Sequence, residues 1–210
     1  FLGAPVDAHS VLIRYTLNLT NGHTYNIQFC RDCDDAPLTL TFNGTTIAQT
    51  VPRQTTVLVP AGAGWKYRDN GQSQGTIWRT PSFDDRGWSS GVAEFGYGDD
   101  DEATRLNYGT DPNNKFITSY FRHSFVVSNA ALFTNLTVGF LRDDGGVIYL
   151  NGKEAFRSHM PDGIIGNGTL AMLPPTFGID ESTFFEGAID PALLLEGTNT
   201  LAVEIHQATV

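Results

Sequence analysis

The stretch 199-NTLAVEIHQATV-210 decides the fold, because it holds the clearest strand pattern in the chain. Leu201, Val203 and Ile205 alternate with small or polar residues, which is typical of a strand buried on one face. Such a strand needs hydrogen-bonded neighbours. Only four residues follow His206 in the sequence. We therefore expect the strand that lies beside it to come from an earlier part of the sequence or from another molecule.

The composition predicts an all-β protein. The 210 residues include 22 glycines and 10 prolines, which mark many turns. The runs between the turns are rich in Thr, Val, Ile, Tyr and Phe, the residues that favour strands. Strands are predicted at residues 119–128, 135–141, 146–158 and 198–207, the third being a hairpin that turns at Asn151 and Gly152. One helical turn, closed by Gly197, is predicted before the last strand.

The charge of the chain excludes two classes of partner. The formal net charge is -10 and the sequence pI is about 4.7. Such a surface repels nucleic-acid phosphates and anionic lipid. No run approaches the roughly 20 apolar residues of a membrane-spanning helix. We expect neither nucleic-acid binding nor membrane insertion, and we expect an extracellular or cell-surface protein.

The N-terminal region, residues 1–62, predicts an extension built from two β-hairpins. Asn-Gly pairs at 21–22 and 43–44 are strong hairpin signals, and the second pair places Leu40 opposite Ile47. A lone sheet of this size does not stay folded with an apolar face in water, so something must cover it. The first predicted strand carries its apolar residues on one face: Val11, Ile13, Tyr15, Leu17 and Leu19.

Residues 63–210 resemble the galactose-binding-like jelly-roll modules of secreted bacterial proteins. The resemblance is carried by "GWKYRDNG" (64–71), "FDDRGWSSGVAEFGYGD" (83–99), "DPNNKFITSYFRHSF" (111–125), "RDDGGVIYLNGKEAFRSHMP" (142–161) and "LLLEGTNTLAVEIHQ" (193–207). It implies a jelly-roll β-sandwich, with Trp88 as a packing residue. It does not fix the function, because such modules serve as carbohydrate binders, spacers or interaction domains.

The resemblance also implies a closing strand after "EIHQ", and this sequence has none there. The alternating segment 11–19 has the pattern that the missing strand requires. It can fold back within its own chain, or it can complete the sandwich of the next molecule by strand addition. A head-to-tail exchange that does not close on itself generates a filament. Alternatively, the sequence is a section of a longer protein from which the closing strand is omitted.

No motif predicts catalysis. None of the five histidines lies in a nucleophile elbow or an H-E-x-x-H pattern. The acidic loop 96–115 instead suggests calcium, which takes six to eight oxygen ligands in flexible geometry. The predicted ligands of a structural calcium ion are Asp99, Asp101, Glu102 and Asp111. A pair at Asp143 and Asp144 is a second candidate, although an ordinary strand end with pairing to Arg142 accounts for it equally simply.

Sugar binding needs an exposed aromatic platform, and Tyr97 and Tyr108 are the candidates for glycan contact. Most aromatic residues of a sandwich are buried, so packing is the alternative role. Cys30 and Cys33 predict a local disulfide in an oxidising compartment. A redox pair or half of a zinc site are the alternatives, but the sequence after Cys33 favours neither.

Four N-x-S/T sequons predict glycosylation sites, at Asn18, Asn43, Asn135 and Asn167. Together these features predict a non-catalytic extracellular structural protein, a subunit or repeat of a fibre or surface assembly joined by β-strand complementation between neighbouring copies. In that assembly Val11, Ile13, Tyr15, Leu17 and Leu19 form the inserted row. The alternative is a carbohydrate-binding module of a larger secreted polysaccharide-degrading protein.

Overall fold

The structure is a computed structural model, and it describes residues 39–42, 45–49, 55–98, 101–172 and 183–208. The chain divides into two compact units, Phe1–Thr56 and Val57–Val210. The described residues form strands joined by turns and three short 3₁₀ helices. The predicted all-β class is confirmed.

In the first unit, β1 (Thr39–Phe42) and β2 (Thr45–Gln49) form an antiparallel hairpin with the predicted two-residue loop. Leu40 pairs with Ala48, however, and not with Ile47. The predicted register is wrong here because the pairing shifts by one residue directly after Leu40, as at a β-bulge.

Several predictions fall outside the described residues. They are the first hairpin with its apolar row Val11, Ile13, Tyr15, Leu17 and Leu19, the cysteines Cys30 and Cys33, the sequons at Asn18 and Asn43, and the carboxylate of Asp99. These stay predictions.

The second unit is built on a six-stranded antiparallel sheet. Its strands, numbered along the chain and given in spatial order, are β10 (Lys153–Ser158), β9 (Gly145–Leu150), β12 (Gly197–His206), β7 (Thr118–Val127), β3 (Gly64–Arg68) and β4 (Ser89–Val92). The predicted strands of the C-terminal half all appear within one or two residues of their predicted limits.

The last strand is central in this sheet. β12 pairs with β7 along its whole length and with β9 over residues 201–206. Its Glu204 lies opposite Tyr120 on one side and Val147 on the other. The prediction that the strand ending at His206 leaves the sandwich open beside it is therefore wrong. Two strands that precede β12 in the sequence supply both of its neighbours.

A thinner second layer consists of two pairs of strands. β8 (Leu136–Phe140) pairs antiparallel with β11 (Phe185–Ile189). β5 (Phe95–Gly96) pairs parallel with β6 (Thr104–Arg105). Because these four strands pack on one side of a sheet of six, the described part of the second unit is a β-sandwich of unequal layers.

The 3₁₀ helices span Ile77–Arg79, Ala130–Leu132 and Pro191–Leu193. The last is the predicted helical turn, and its N-cap residue Asp190 accepts a hydrogen bond from the Ala192 N–H at 2.9 Å. Its C-cap residue is Leu194, so the prediction that Gly197 closes this turn is wrong. Gly197 then opens β12 with φ +83, a conformation that suits glycine. Within the described residues, no helix is long and apolar enough to cross a membrane.

Strand alternation gives the large sheet two faces. We call one the Trp78 face, which carries Tyr120, Tyr149, Ala202, Glu204 and His206 under Trp78. We call the other the Leu201 face, which carries Phe121, Phe125, Ile148, Leu201, Val203 and Ile205 and looks toward the second layer.

Candidate strand-acceptor site

The two faces of the central strand differ in coverage. On the Trp78 face, Ala202 and His206 are 0% exposed and Glu204 is 1% exposed. On the Leu201 face, Val203 is buried, but Leu201 and Ile205 are only half-buried. The sequence pattern predicted that the apolar row is buried and that the alternating row faces solvent. In the structure Ala202, Glu204 and His206 are the more deeply buried row.

The Trp78 face is covered by the 3₁₀ helix Ile77–Arg79 and by residues 160–171. Trp78 is fully buried, and its ring meets Tyr120 edge-on at 4.8 Å and stacks near Trp88 at 6.2 Å. Trp88 is 7% exposed, which agrees with the packing role that the resemblance implied. This cover extends over Tyr120, Tyr149, Ala202, Glu204 and His206, whereas Val126 and Thr198 at the other end of the same face are exposed.

A charged cluster lies under that cover. Arg79 Nη2 lies 3.1 Å from Glu204 Oε1, and the Tyr149 hydroxyl donates to the same oxygen at 2.6 Å. The Arg79 guanidinium also stacks 4.1 Å over the Tyr149 ring. Burial and the hydrogen bond to Glu204 raise the pKa of Tyr149 well above its ordinary value. His206 Nε2 lies 3.5 Å from the other Glu204 oxygen.

The same region fastens residues 165–169 to the sheet. Thr118 Oγ1 donates to the Asn167 carbonyl at 2.7 Å, and His206 Nδ1 donates to the Thr169 carbonyl at 2.7 Å. The Tyr120 hydroxyl donates to Asn167 Oδ1 at 2.9 Å. Burial and the Glu204 carboxylate raise the pKa of Tyr120 to about 12. No pattern in the sequence predicted this network, because its members lie far apart along the chain.

Two predicted glycosylation sites can be located. Asn135 is exposed immediately before β8. Asn167 is half-buried, and its amide nitrogen also donates to the Gly71 carbonyl at 3.4 Å. A glycan on that nitrogen would compete with this hydrogen bond, so Asn135 is the more accessible of the two sequons.

The Leu201 face has an incompletely covered centre. The half-buried side chains there, which we call the acceptor floor, are Trp65, His123, Phe125, Leu201 and Ile205. His123 Nδ1 donates to the Gly64 carbonyl at 2.7 Å, and its ring lies 5.1 Å from Trp65. Leu201 lies directly opposite His123 in the ladder of β12 and β7. The acceptor floor is therefore a nearly continuous apolar surface along the two longest strands.

Two strands of the second layer border the floor. On one side lies β8, and its Phe140 ring contacts the junction of β9 and β12. A Cβ atom added at Gly146 of β9 would lie 2.7 Å from Phe140 and 3.0 Å from Ile205 of β12. On the other side stands β5, whose Phe95 ring lies 5.1 Å from Phe121 and therefore over β7. We call the space above the floor between these two strands the acceptor cleft.

The chemistry of the acceptor cleft suits a strand. Its floor is apolar, so it can bury alternate side chains of an extended segment. In the described part of the chain, β8 pairs with β11 alone, and no described residue pairs with the backbone N–H and C=O groups of its other edge. An extended segment placed there would satisfy those groups and cover the floor at the same time.

The predicted sugar-contact residues lie together. The Tyr97 and Tyr108 rings are 4.9 Å apart and tilted by 58°, and Lys115 Nζ lies 5.0 Å over the Tyr97 ring. Both tyrosines are half-buried. Burial, and then the carboxylates of Asp143 and Asp144, raise the pKa of Tyr97 to about 12. This pair offers ring edges and hydroxyls at the surface, but also packs within the loop.

The predicted calcium ligands that the structure describes are not gathered around one point. Asp101 is exposed, Glu102 packs against Gly96, and Asp111 Oδ1 accepts the Asn113 N–H at 2.9 Å. Among the described residues, no group of three or more His, Cys, Asp or Glu side chains could hold a metal ion. Asp99 lies outside them, and a calcium ion in this loop stays a prediction.

No family model matches this chain, and no curated protein matches it. Solved structures of bacterial glycosidases do. A β-glycosidase from Bacteroides vulgatus matches with TM-score 0.43 and 18% identity over 72% of this chain. A β-glucuronidase from an uncultured Clostridium sp. gives 0.44 and 18% over 80%. A calcium-binding mutant of Bacteroides uniformis β-glucuronidase 2 gives 0.46 and 16% over 70%.

The chain spans only 14% to 24% of the length of these three enzymes. With TM-scores below 0.5, the similarities assign neither a reaction nor a substrate to this chain.

Proposed function

We propose that this chain is a non-catalytic extracellular structural subunit, and that neighbouring copies join when a β-segment of one enters the acceptor cleft of the next. The observation that carries the proposal is the half-buried acceptor floor. The floor consists of five large side chains, four on the two longest strands and Trp65 on β3, and all five are only half-buried. Large exposed apolar patches mark interaction sites.

The segment 11–19 has the pattern that the acceptor cleft requires. Its apolar residues recur at every second position, so all five point to one side of an extended chain. Burying five such side chains contributes about 7–15 kcal/mol before ordering costs, at about 1.5–3 kcal/mol each. The loss of translational and rotational freedom on association costs about 4–15 kcal/mol, which is similar in size to this gain. Burial of the five side chains can therefore support a stable contact.

The charged groups of the unit support a non-catalytic role. The Arg79 and Tyr149 side chains both bond to the Glu204 carboxylate under the cover of the Trp78 face, with Glu204 only 1% exposed. A catalytic carboxylate must reach substrate in a cleft. This cluster serves the packing of residues 160–171 instead.

Removing residues 1–20 tests the proposal. The full chain should form filaments or large particles in electron micrographs and sediment as an assembly. The deletion variant should sediment as a monomer, because its acceptor cleft receives no segment. Equal assembly by both proteins would contradict the proposal.

A matched pair of substitutions avoids the large deletion. Leu17→Asp places a charge in the inserted row, whereas Thr16→Asp places the same charge on the opposite face of the segment. Leu17→Asp should abolish assembly, and Thr16→Asp should retain it. If both variants assemble alike, the alternating row does not mediate the contact.

The second candidate function is a carbohydrate-binding module of a larger secreted polysaccharide-degrading protein. The paired rings of Tyr97 and Tyr108, with Lys115 beside them, favour it. It predicts a monomer that binds glycans on an array and loses that binding with Tyr108→Ala. Glycan binding by a monodisperse full-length monomer would replace the structural proposal with this one.

A further inference from the structure

The small sheet of β8 and β11 offers two edges to an added strand. Of the residues that the structure describes, none pairs with the outer edge of β8 or with the outer edge of β11. The two edges differ in which part of the large sheet would lie below an added strand. This difference favours one edge as the site of strand addition.

The edge of β11 overhangs the border of the large sheet. A Cβ added at Gly187 of β11 would collide with the ring of Phe156, and Phe156 belongs to β10, the outermost strand. A strand added beyond β11 would therefore have no part of the large sheet below it. Its apolar row would stay in water, so β11 gains nothing from such a partner.

The edge of β8 faces the centre of the large sheet. Phe140 of β8 lies against Gly146 and Ile205, at the junction of β9 and β12. Neighbouring strands lie about 4.8 Å apart, so the next strand beyond β8 would lie over β12 and β7. That is the position of Leu201, His123 and Phe125 in the acceptor floor.

Two other edges among the described strands, those of β10 and β4, carry features that discourage strand addition, and the edge of β8 does not. β10 carries Lys153, Glu154 and Arg157, and charged residues discourage strand addition. On β4, the Thr104 hydroxyl bonds both the N–H and the C=O of Val92 at 2.9 and 2.8 Å. The sequence of β8 is "LTVGF", with neither charge nor proline.

The length of the segment fits this position. Nine residues in extended form span about 30 Å, at about 3.3 Å per residue. The floor strands β7 and β12 have 10 residues each and a similar length. We infer that residues 11–19 of a second copy of this chain pair with the free edge of β8, over the acceptor floor. This inference rests on the proposed function and adds to it the edge that receives the partner.

Paired cysteines can identify the edge. Thr137 of β8 and Ala188 of β11 are exposed on the outer face of the small sheet and lie directly opposite each other. A disulfide needs Cα atoms about 4.4–6.8 Å apart, so a cysteine reaches the adjacent strand but not the second strand away. Thr137→Cys and Ala188→Cys are therefore matched reporters for the two edges.

Each reporter is introduced in a full-length chain with Cys30→Ser and Cys33→Ser. It is combined in turn with a cysteine at each outward position of the segment, namely Leu12, Arg14, Thr16 and Asn18. Assembly of every variant is verified by sedimentation before mild oxidation, and products are separated on a non-reducing gel. We expect Thr137→Cys to give a ladder of covalent oligomers with one or two segment positions, and Ala188→Cys to give none.

The other outcomes are distinguishable. A ladder with Ala188→Cys would overturn the choice of β8 and leave the proposed assembly intact. A Thr137→Cys cross-link at monomer mass would show that the segment folds back within its own chain, which overturns exchange between copies. Assembled variants that cross-link through neither reporter would overturn strand addition to the small sheet.

Discussion

The two faces of the large sheet bury opposite kinds of side chain. The Trp78 face buries an arginine, a glutamate and a histidine beneath Trp78 and residues 160–171, whereas the Leu201 face leaves leucine, isoleucine and phenylalanine half-buried. Charges are costly to bury unless they are paired, and apolar side chains are costly to expose. On the first face the Glu204 carboxylate is paired with Arg79 within the unit, and in the proposed assembly the second face is covered by a neighbouring copy. Four sets of substitutions test this difference.

Removing the buried carboxylate of the Trp78 face should have the largest effect on the free energy of unfolding. Glu204→Ala leaves Arg79 without its carboxylate in a buried position, and such losses typically cost about 3–5 kcal/mol. We expect a strong fall in the free energy of unfolding, measured with chemical denaturant. Glu186→Ala on the exposed face of β11 is the control, and it should change stability by less than about 0.5 kcal/mol. Similar values for both would contradict a structural role for the cluster.

Two leucines on the Leu201 face should differ in how much they contribute to the free energy of unfolding. Leu150 is 1% exposed beneath the small sheet, so Leu150→Ala should cost about 2–5 kcal/mol. Leu201→Ala should cost only about 1 kcal/mol in a variant without residues 1–20, because Leu201 is only half-buried. The cost of Leu201→Ala should grow in the assembled full-length protein. An equal cost in both backgrounds would mean that nothing covers the floor on assembly.

A substitution with a smaller expected effect tests whether β11 packs over β10, at the border of the large sheet. Gly187→Ala would force its Cβ into the Phe156 ring, and overpacking of this kind costs about 1–3 kcal/mol. Gly166→Ala meets nothing within 4 Å and should leave stability almost unchanged. Thermal unfolding of the two variants gives the comparison. An unchanged midpoint for Gly187→Ala would argue against close packing of β11 on β10.

The smallest effect concerns the hydroxyl that fastens Asn167. Tyr120→Phe removes one hydrogen bond and should cost about 1 kcal/mol at neutral pH. The pKa of Tyr120 is about 12 in the folded protein and 10.0 as the ordinary value, so the folded state holds this proton more tightly. That stability is present below pH 10 and is lost as the pH rises toward 12. The gap between wild type and Tyr120→Phe should therefore narrow over this range, and a constant gap would contradict the raised pKa.

Local pattern in the sequence was enough to locate most strands. Alternating residues and the Asn151–Gly152 turn placed β7, β8, β9, β10 and β12 well, because period and turn chemistry act between near neighbours. The register of β1 and β2 failed at Leu40, where a shift in pairing has no signal in the residue types.

The order of the strands and the burial of charge could not be predicted in the same way. β12 lies at the centre because it pairs with segments 51 to 88 residues earlier, as the pairs Leu150–Leu201 and Thr118–His206 show. Glu204 looked solvent-facing because its partners are remote: Arg79 lies 125 residues away and Tyr149 lies 55 residues away. Long-range contacts of this kind leave no mark in the local period.

Hydrogen–deuterium exchange at β8 tests the central claim most directly. The backbone amides of Leu136–Phe140 are compared between the assembled full chain and the variant without residues 1–20, with β12 as the internal control because both of its edges are paired in either protein. We predict that alternate β8 amides exchange much more slowly in the assembled protein and that β12 is unchanged. Equal exchange of β8 in the two proteins would show that its edge receives no strand, and would contradict the proposed assembly.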